Sequence, residues 1–147
     1  MLNEKINEDL KTALKERNTL KVDVLRMLKA AVTNFLIEKK KDKVEDEEMI
    51  GLIQKQVKLR DDSIEAYKKG GRQELVDKET KEKALLQAYL PKGLSEGELK
   101  DLIQKAIQAT GAKSKADMGK VMKEAVAQAK GRADGKQISQ IAAQLLP

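Results

Sequence analysis

Apolar residues recur along this chain at helical spacing. Leu2, Ile6, Leu10 and Leu14 fall every four residues and share a side of a helix from about Asn3 to Arg17, with Asn3 as its cap. Asn18-Thr19 interrupts the pattern, and Thr19 is expected to cap a longer second helix reaching about Lys41. Its stripe is Leu20, Val24, Met27, Leu28, Ala31 and Phe35, widened by Leu25, Val32 and Leu36. So wide a stripe predicts a central helix touched on several sides. Glu38 to Lys43 reads as a solvated turn. A third helix, from about Asp46 to Lys69, carries Met49, Ile50, Ile53, Val57, Ile64 and Tyr67 and stops at Gly70-Gly71. A fourth, from about Glu74 to Leu90, turns strongly apolar over Ala84, Leu85, Leu86, Ala88, Tyr89 and Leu90, which predicts burial, and Pro91 ends it.

Pro91-Lys92-Gly93 is the natural boundary, because glycine becomes frequent beyond it and the helices shorten. Ser95 with Glu98 matches a capping box for a helix carrying Leu99, Leu102, Ile103, Ala106 and Ile107, which ends at Thr110-Gly111. Ser114 with Asp117 opens the next, whose inward residues are Met118, Val121, Met122, Ala125, Val126 and Ala129 and whose stop is Gly131. Asp134 caps the last, with Ile138, Ile141, Ala142, Leu145 and Leu146 inward. No segment alternates apolar and polar residues for a strand's length. The expected fold is all-α: an N-terminal domain of about four helices over 1–92 and a small three-helix bundle over 93–147.

Composition narrows the chemistry. The chain has 147 residues with no Cys, no His and no Trp. Thiolate nucleophiles, disulfides, Cys/His zinc sites and Ser-His-Asp triads are thereby excluded. No apolar run approaches a membrane span, and the N-terminus lacks the charged and apolar regions of a secretory signal. A cytoplasmic location is the expectation. The charge balance is 30 Lys and Arg against 24 Asp and Glu, or +6, which permits a polyanionic partner without requiring one.

Candidate catalytic groups dissolve into structural ones. Ser95 and Ser114 sit at predicted caps, and neither these nor Ser63 or Ser139 lies in a Gly-x-Ser-x-Gly turn. The acidic run Glu45-Asp46-Glu47-Glu48 falls at a predicted helix N-terminus, where carboxylates meet the helix dipole favourably. Gly131 to Gln137 fails as a phosphate loop: three residues, not four, separate its glycines, Gln137 replaces the metal-binding Ser or Thr, and no strand precedes it. No catalytic residue, metal ligand or small-molecule cofactor is expected.

A basic stretch is left. Lys113, Lys115, Lys120, Lys123, Lys130, Arg132 and Lys136 are opposed only by Asp117, Glu124 and Asp134, a local balance of +4. Such a patch can neutralise several phosphates. Phe35, Tyr67 and Tyr89 all fall on core stripes, so base stacking is not expected, and contact with the backbone of structured RNA is. The competing expectation is an ordinary solvated lysine surface.

Four segments carry a family resemblance. They are Val24-Leu25-Arg26-Met27-Leu28-Lys29-Ala30-Ala31; Gln54-Lys55-Gln56-Val57-Lys58 with Ser63-Ile64-Glu65; Tyr89-Leu90-Pro91-Lys92-Gly93-Leu94-Ser95; and Asp117-Met118-Gly119-Lys120-Val121-Met122-Lys123 followed by Gly131-Arg132-Ala133-Asp134-Gly135. In this order they make the chain resemble the GatB/YqeY family along essentially its whole length, closest to the free-standing YqeY-like members. The resemblance implies two helical subdomains. It also implies kinship with the C-terminal helical and tail region of the B subunit of tRNA-dependent amidotransferases. There the tail contacts the body of a mischarged tRNA, another domain phosphorylates the aminoacyl group, and the A subunit releases ammonia from glutamine. Those catalytic domains have no counterpart here. Asp134-Gly135 stands where the B subunits commonly have Asn-Pro.

The resulting expectation is a non-catalytic accessory protein for tRNA or other structured RNA, with the seven basic residues above on phosphates. One alternative is a module that docks on an amidotransferase or an aminoacyl-tRNA synthetase. Another, implied by the resemblance alone, is a component of carbon–nitrogen ligase activity with glutamine as amido donor.

Overall fold

The computed structural model describes residues 1–147. The chain is all-helical and divides into two compact units, Met1–Leu90 and Pro91–Pro147.

The first unit holds α1 (Leu2–Lys15), α2 (Thr19–Lys39), α3 (Asp46–Lys69) and α4 (Gln73–Gln87). The short turn at Gly70 and Gly71 folds α4 back along α3, and the two pack as an antiparallel hairpin. α2 is the central helix: it packs on α1, α3 and α4, and Val22, Val24, Leu25, Leu28 and Val32 are buried on it. Ile6, Val44, Met49, Ile53 and Leu86 complete the core, with Phe35, Leu52, Val57 and Leu90 against it. No helix is long and apolar enough to cross a membrane.

Local chemistry differs from expectation at several helix ends. The cap of α2 is Asn18, not Thr19: the Asn18 side-chain oxygen accepts the Lys21 N–H at 3.2 Å. α1 begins at Leu2, ahead of Asn3, and the Leu2 N–H donates to Asp46 Oδ1 at 3.0 Å. α2 ends with Lys40 in the left-handed region, where the Lys41 N–H returns to the Leu36 carbonyl.

Three large apolar residues expected inside face water. Leu14, Met27 and Val126 are about half exposed. A spacing of four drifts about 40° per step around a helix, so Leu14 has rotated well away from Leu2, and Ala13 is buried in its place. Met27 lies about 100° from Leu28, beyond the face that α2 buries. In α4 the apolar second half is buried at Leu86, while Ala84 and Ala88 are exposed.

The second unit holds α5 (Glu96–Thr110), a single 3-10 turn (Lys115–Asp117), α6 (Met118–Ala129) and α7 (Gly135–Leu145). Its core is Leu99, Ile103 and Ala106 from α5, Val121, Ala125 and Ala129 from α6, and Ile138, Ala142 and Leu146 from the last helix and its end. Alanine at four of these positions keeps the helices close. The ends are capped as the sequence suggests at two places: Ser95 Oγ accepts the Glu98 N–H, and Asp134 Oδ1 accepts the Gln137 N–H at 2.8 Å while Gln137 returns the bond. Ser114 instead caps the 3-10 turn, accepting from Ala116. Gly111 closes α5 at φ 67°, a conformation that costs any other residue strain.

Candidate nucleic-acid interface

The basic stretch belongs wholly to the second unit, and α6 organises it. Val121, Ala125 and Ala129 turn inward, which leaves Lys120 and Lys123 on the opposite, solvent side. Lys130 caps the helix seven residues beyond Lys123, so it continues the same line. Lys113 and Lys115 precede α6, and Lys136 lies in the first turn of α7. All six lysines are exposed.

The ion pairs of this unit are Lys100 with Glu96 on α5 and Arg132 with Glu98. The six lysines are therefore outside ion-pair distance of any carboxylate. Asp117 is the local acid that moderates them. Its Oδ2 accepts the Lys113 N–H at 3.0 Å, and that bond first of all, helped by the nearby Lys120 and Lys113 charges, holds its carboxyl below the ordinary range in spite of desolvation. The other acid of α6, Glu124, accepts from Gln128 on the flank of the helix.

Charge is unevenly spread within the unit. α5 carries Glu96, Glu98 and Asp101 against Lys100 and Lys105, whereas nothing acidic follows Asp134 to the chain's last residue. The solvent side of α7 shows Gln137, Gln140 and Gln144.

Arg132 behaves unlike the lysines. Its Nε donates to the Lys92 carbonyl at 2.9 Å, and its NH2 lies 3.7 Å from Glu98 Oε2. The Arg132 carbonyl in turn accepts the Leu94 N–H at 2.9 Å. Arg132 thus ties the segment entering α5 to the α6–α7 turn. Lys130 and Gly131 in that turn are both left-handed, at φ 49° and 82°. The geometry makes Arg132 a strut that shapes the turn where lysines stand.

The first unit contains a charged cluster that the sequence reading did not single out. Arg60 on α3 is only 4% exposed. Its Nε stands 3.1 Å from Glu82 Oε2 and 3.6 Å from Glu79 Oε2, without the alignment of a hydrogen bond to either. NH1 donates to Gln56 Oε1 at 3.3 Å, and NH2 to Met27 Sδ at 3.4 Å. Burial, followed by the Glu82 charge, raises the Glu79 carboxyl above its ordinary value. The available signal was periodicity: Arg60 sits seven residues after Ile53 and four before Ile64, a charge on an apolar stripe.

The acidic run serves structure. Glu48 pairs with Lys41 at 2.7 Å and accepts the Glu45 N–H at 3.0 Å, which in that order keep its carboxyl below the ordinary range. Asp46 receives the Leu2 N–H. No three acidic side chains converge as metal ligands.

Fold and surface together define a class: an all-helical protein of two units whose C-terminal unit carries a line of unpaired lysines. The family model described as Yqey-like protein matches residues 3–146, and the chain belongs to that family. It is similar to "Altered inheritance of mitochondria protein 41, mitochondrial" of Pyrenophora tritici-repentis, 30% identical over 132 residues, covering 88% of this chain and 71% of that protein. Like-named proteins of Vanderwaltozyma polyspora and Eremothecium gossypii are 33% and 32% identical over 85 residues, 58% of this chain. The alignments span 46% of the length of each of these two relatives. These relatives correct the cytoplasmic expectation, since all three are named as mitochondrial proteins. Residue composition and the lack of a visible leader do not report a compartment.

Proposed function

We propose that this protein is a non-catalytic accessory factor that holds structured RNA, tRNA first among the candidates, through the C-terminal unit. Lys113, Lys115, Lys120, Lys123, Lys130 and Lys136 contact phosphates and set position without reading bases. Arg132 supports the turn instead of touching RNA. The observation that carries this reading is the row of exposed lysines along and beside α6, free of carboxylate partners, in a unit whose α5 is close to neutral. Neutralising phosphates releases counterions, so the affinity must fall steeply with salt. The test is binding of total tRNA across a salt series. Tight, salt-sensitive binding supports the reading; binding that is absent at low salt, or indifferent to salt, removes it.

A second reading has its own observation. Ile37 on α2 is 71% exposed beside Lys40, an apolar anchor with a charged neighbour. It favours docking of the first unit on a protein such as an amidotransferase or an aminoacyl-tRNA synthetase. A complex with a purified candidate enzyme that survives nuclease and is lost in Ile37→Glu distinguishes docking from RNA tethering. Under either reading, the purified chain is expected to give no amidation of mischarged tRNA in an assay with glutamine and ATP.

A further inference from the structure

The Arg60 cluster has one weak member. Three of the guanidinium's neighbours offer oxygen, from Glu79, Glu82 and Gln56, but NH2 is met by the thioether of Met27. Thioether sulfur is a poor acceptor for a buried cation. Met27 is also 51% exposed, so solvent and small reagents reach the side chain. The remaining methionines differ: Met49 is 1% exposed, Met118 and Met122 are partly buried against the second core, and Met1 is the first residue.

We propose that Met27 is an oxidation site for peroxides, and that its sulfoxide tightens the junction of α2 with α3 and α4 by giving Arg60 a strong oxygen acceptor. In the reaction the sulfur lone pair attacks one peroxide oxygen. The O–O bond breaks, an S–O bond forms, the sulfur loses two electrons, and the departing oxygen leaves as water with both peroxide protons. The sulfoxide oxygen can accept from the guanidinium once sulfur and nitrogen separate beyond their present 3.4 Å. Methionine oxidation ordinarily makes a side chain too polar for its surroundings. Here the surroundings include a guanidinium nitrogen whose acceptor is only a thioether, so the sign reverses.

The chain suits the experiment because it has no Cys, Trp or His to compete for peroxide. The intact protein is treated with hydrogen peroxide and mapped by peptide mass spectrometry, and amide exchange is then followed in peptides from α2, α3 and α4. Met27 is expected to gain oxygen faster than Met49, Met118 and Met122. Protection around Arg60 is expected to rise about fivefold, the scale of one neutral contact becoming a good hydrogen bond to a charge. Met27→Leu, a conservative change at a half-exposed site, should abolish the rise. The proposal is overturned if Met27 oxidises no faster than Met118 and Met122, if protection does not rise after Met27 is oxidised, or if it rises equally in Met27→Leu.

Discussion

Replacing Lys120 and Lys123 together by glutamine removes two charges from the solvent side of α6 and leaves its buried side untouched. Glutamine is a comparable helix former, so the unit should keep its stability. If each lysine meets one phosphate, the slope of log affinity against log salt should flatten by about 1.8, at about 0.9 per phosphate on a duplex. Taking equal affinity at 1 M salt as the reference, that slope change corresponds to a loss of about 60-fold at 0.1 M. Fluorescence anisotropy of labelled tRNA from 0.05 to 1 M salt reads both quantities. Arg132→Gln is the internal contrast: with its guanidinium held by Lys92 and Glu98, it should leave the slope unchanged even where the affinity drops. A double lysine variant with the parent slope would show that α6 touches no phosphate, and the reasoning from unpaired cations would fail.

Other outcomes follow from single contacts. Lys130→Gly should raise stability in urea by about 1 kcal/mol, because it relieves a left-handed lysine, while flattening the salt slope by about 0.9. Ile103→Ala opens a cavity at a fully buried position and should cost about 2–5 kcal/mol, enough to strip amide protection from α5, α6 and α7. Tyr89→Phe removes the phenol that donates to Asp9 and should cost about 1–2 kcal/mol in urea unfolding. Alkaline pH tests the same phenol: burial, then the hydrogen bond to Asp9 and its charge, raise its pKa above the ordinary 10.0. Its contribution is therefore complete below pH 10 and drains away as pH climbs toward the raised folded value. Tyr89→Phe should flatten the alkaline limb of a stability–pH profile.

Seven helices, a break near Pro91 and most of both cores were legible in the order of residues alone. These follow from local rules: apolar residues at helical spacing, Ser95 and Asp134 at caps and Gly111 at a stop, although α4 ends at Gln87, ahead of the proline expected to stop it. The sequence also contained the lysine line, because Lys120, Lys123 and Lys130 share a side of α6 by periodicity alone. Packing alone sets which of two adjacent stripe positions faces water, as at Leu14 against Ala13, since that depends on where the neighbouring helix lies. Only it separated Arg132 from the lysines, because the carbonyl that holds its Nε lies forty residues away at Lys92. The Arg60 cluster was out of reach for the same reason. Periodicity marks a charge on an apolar stripe, but the glutamates from α4 and the sulfur from α2 meet it only when three helices pack together.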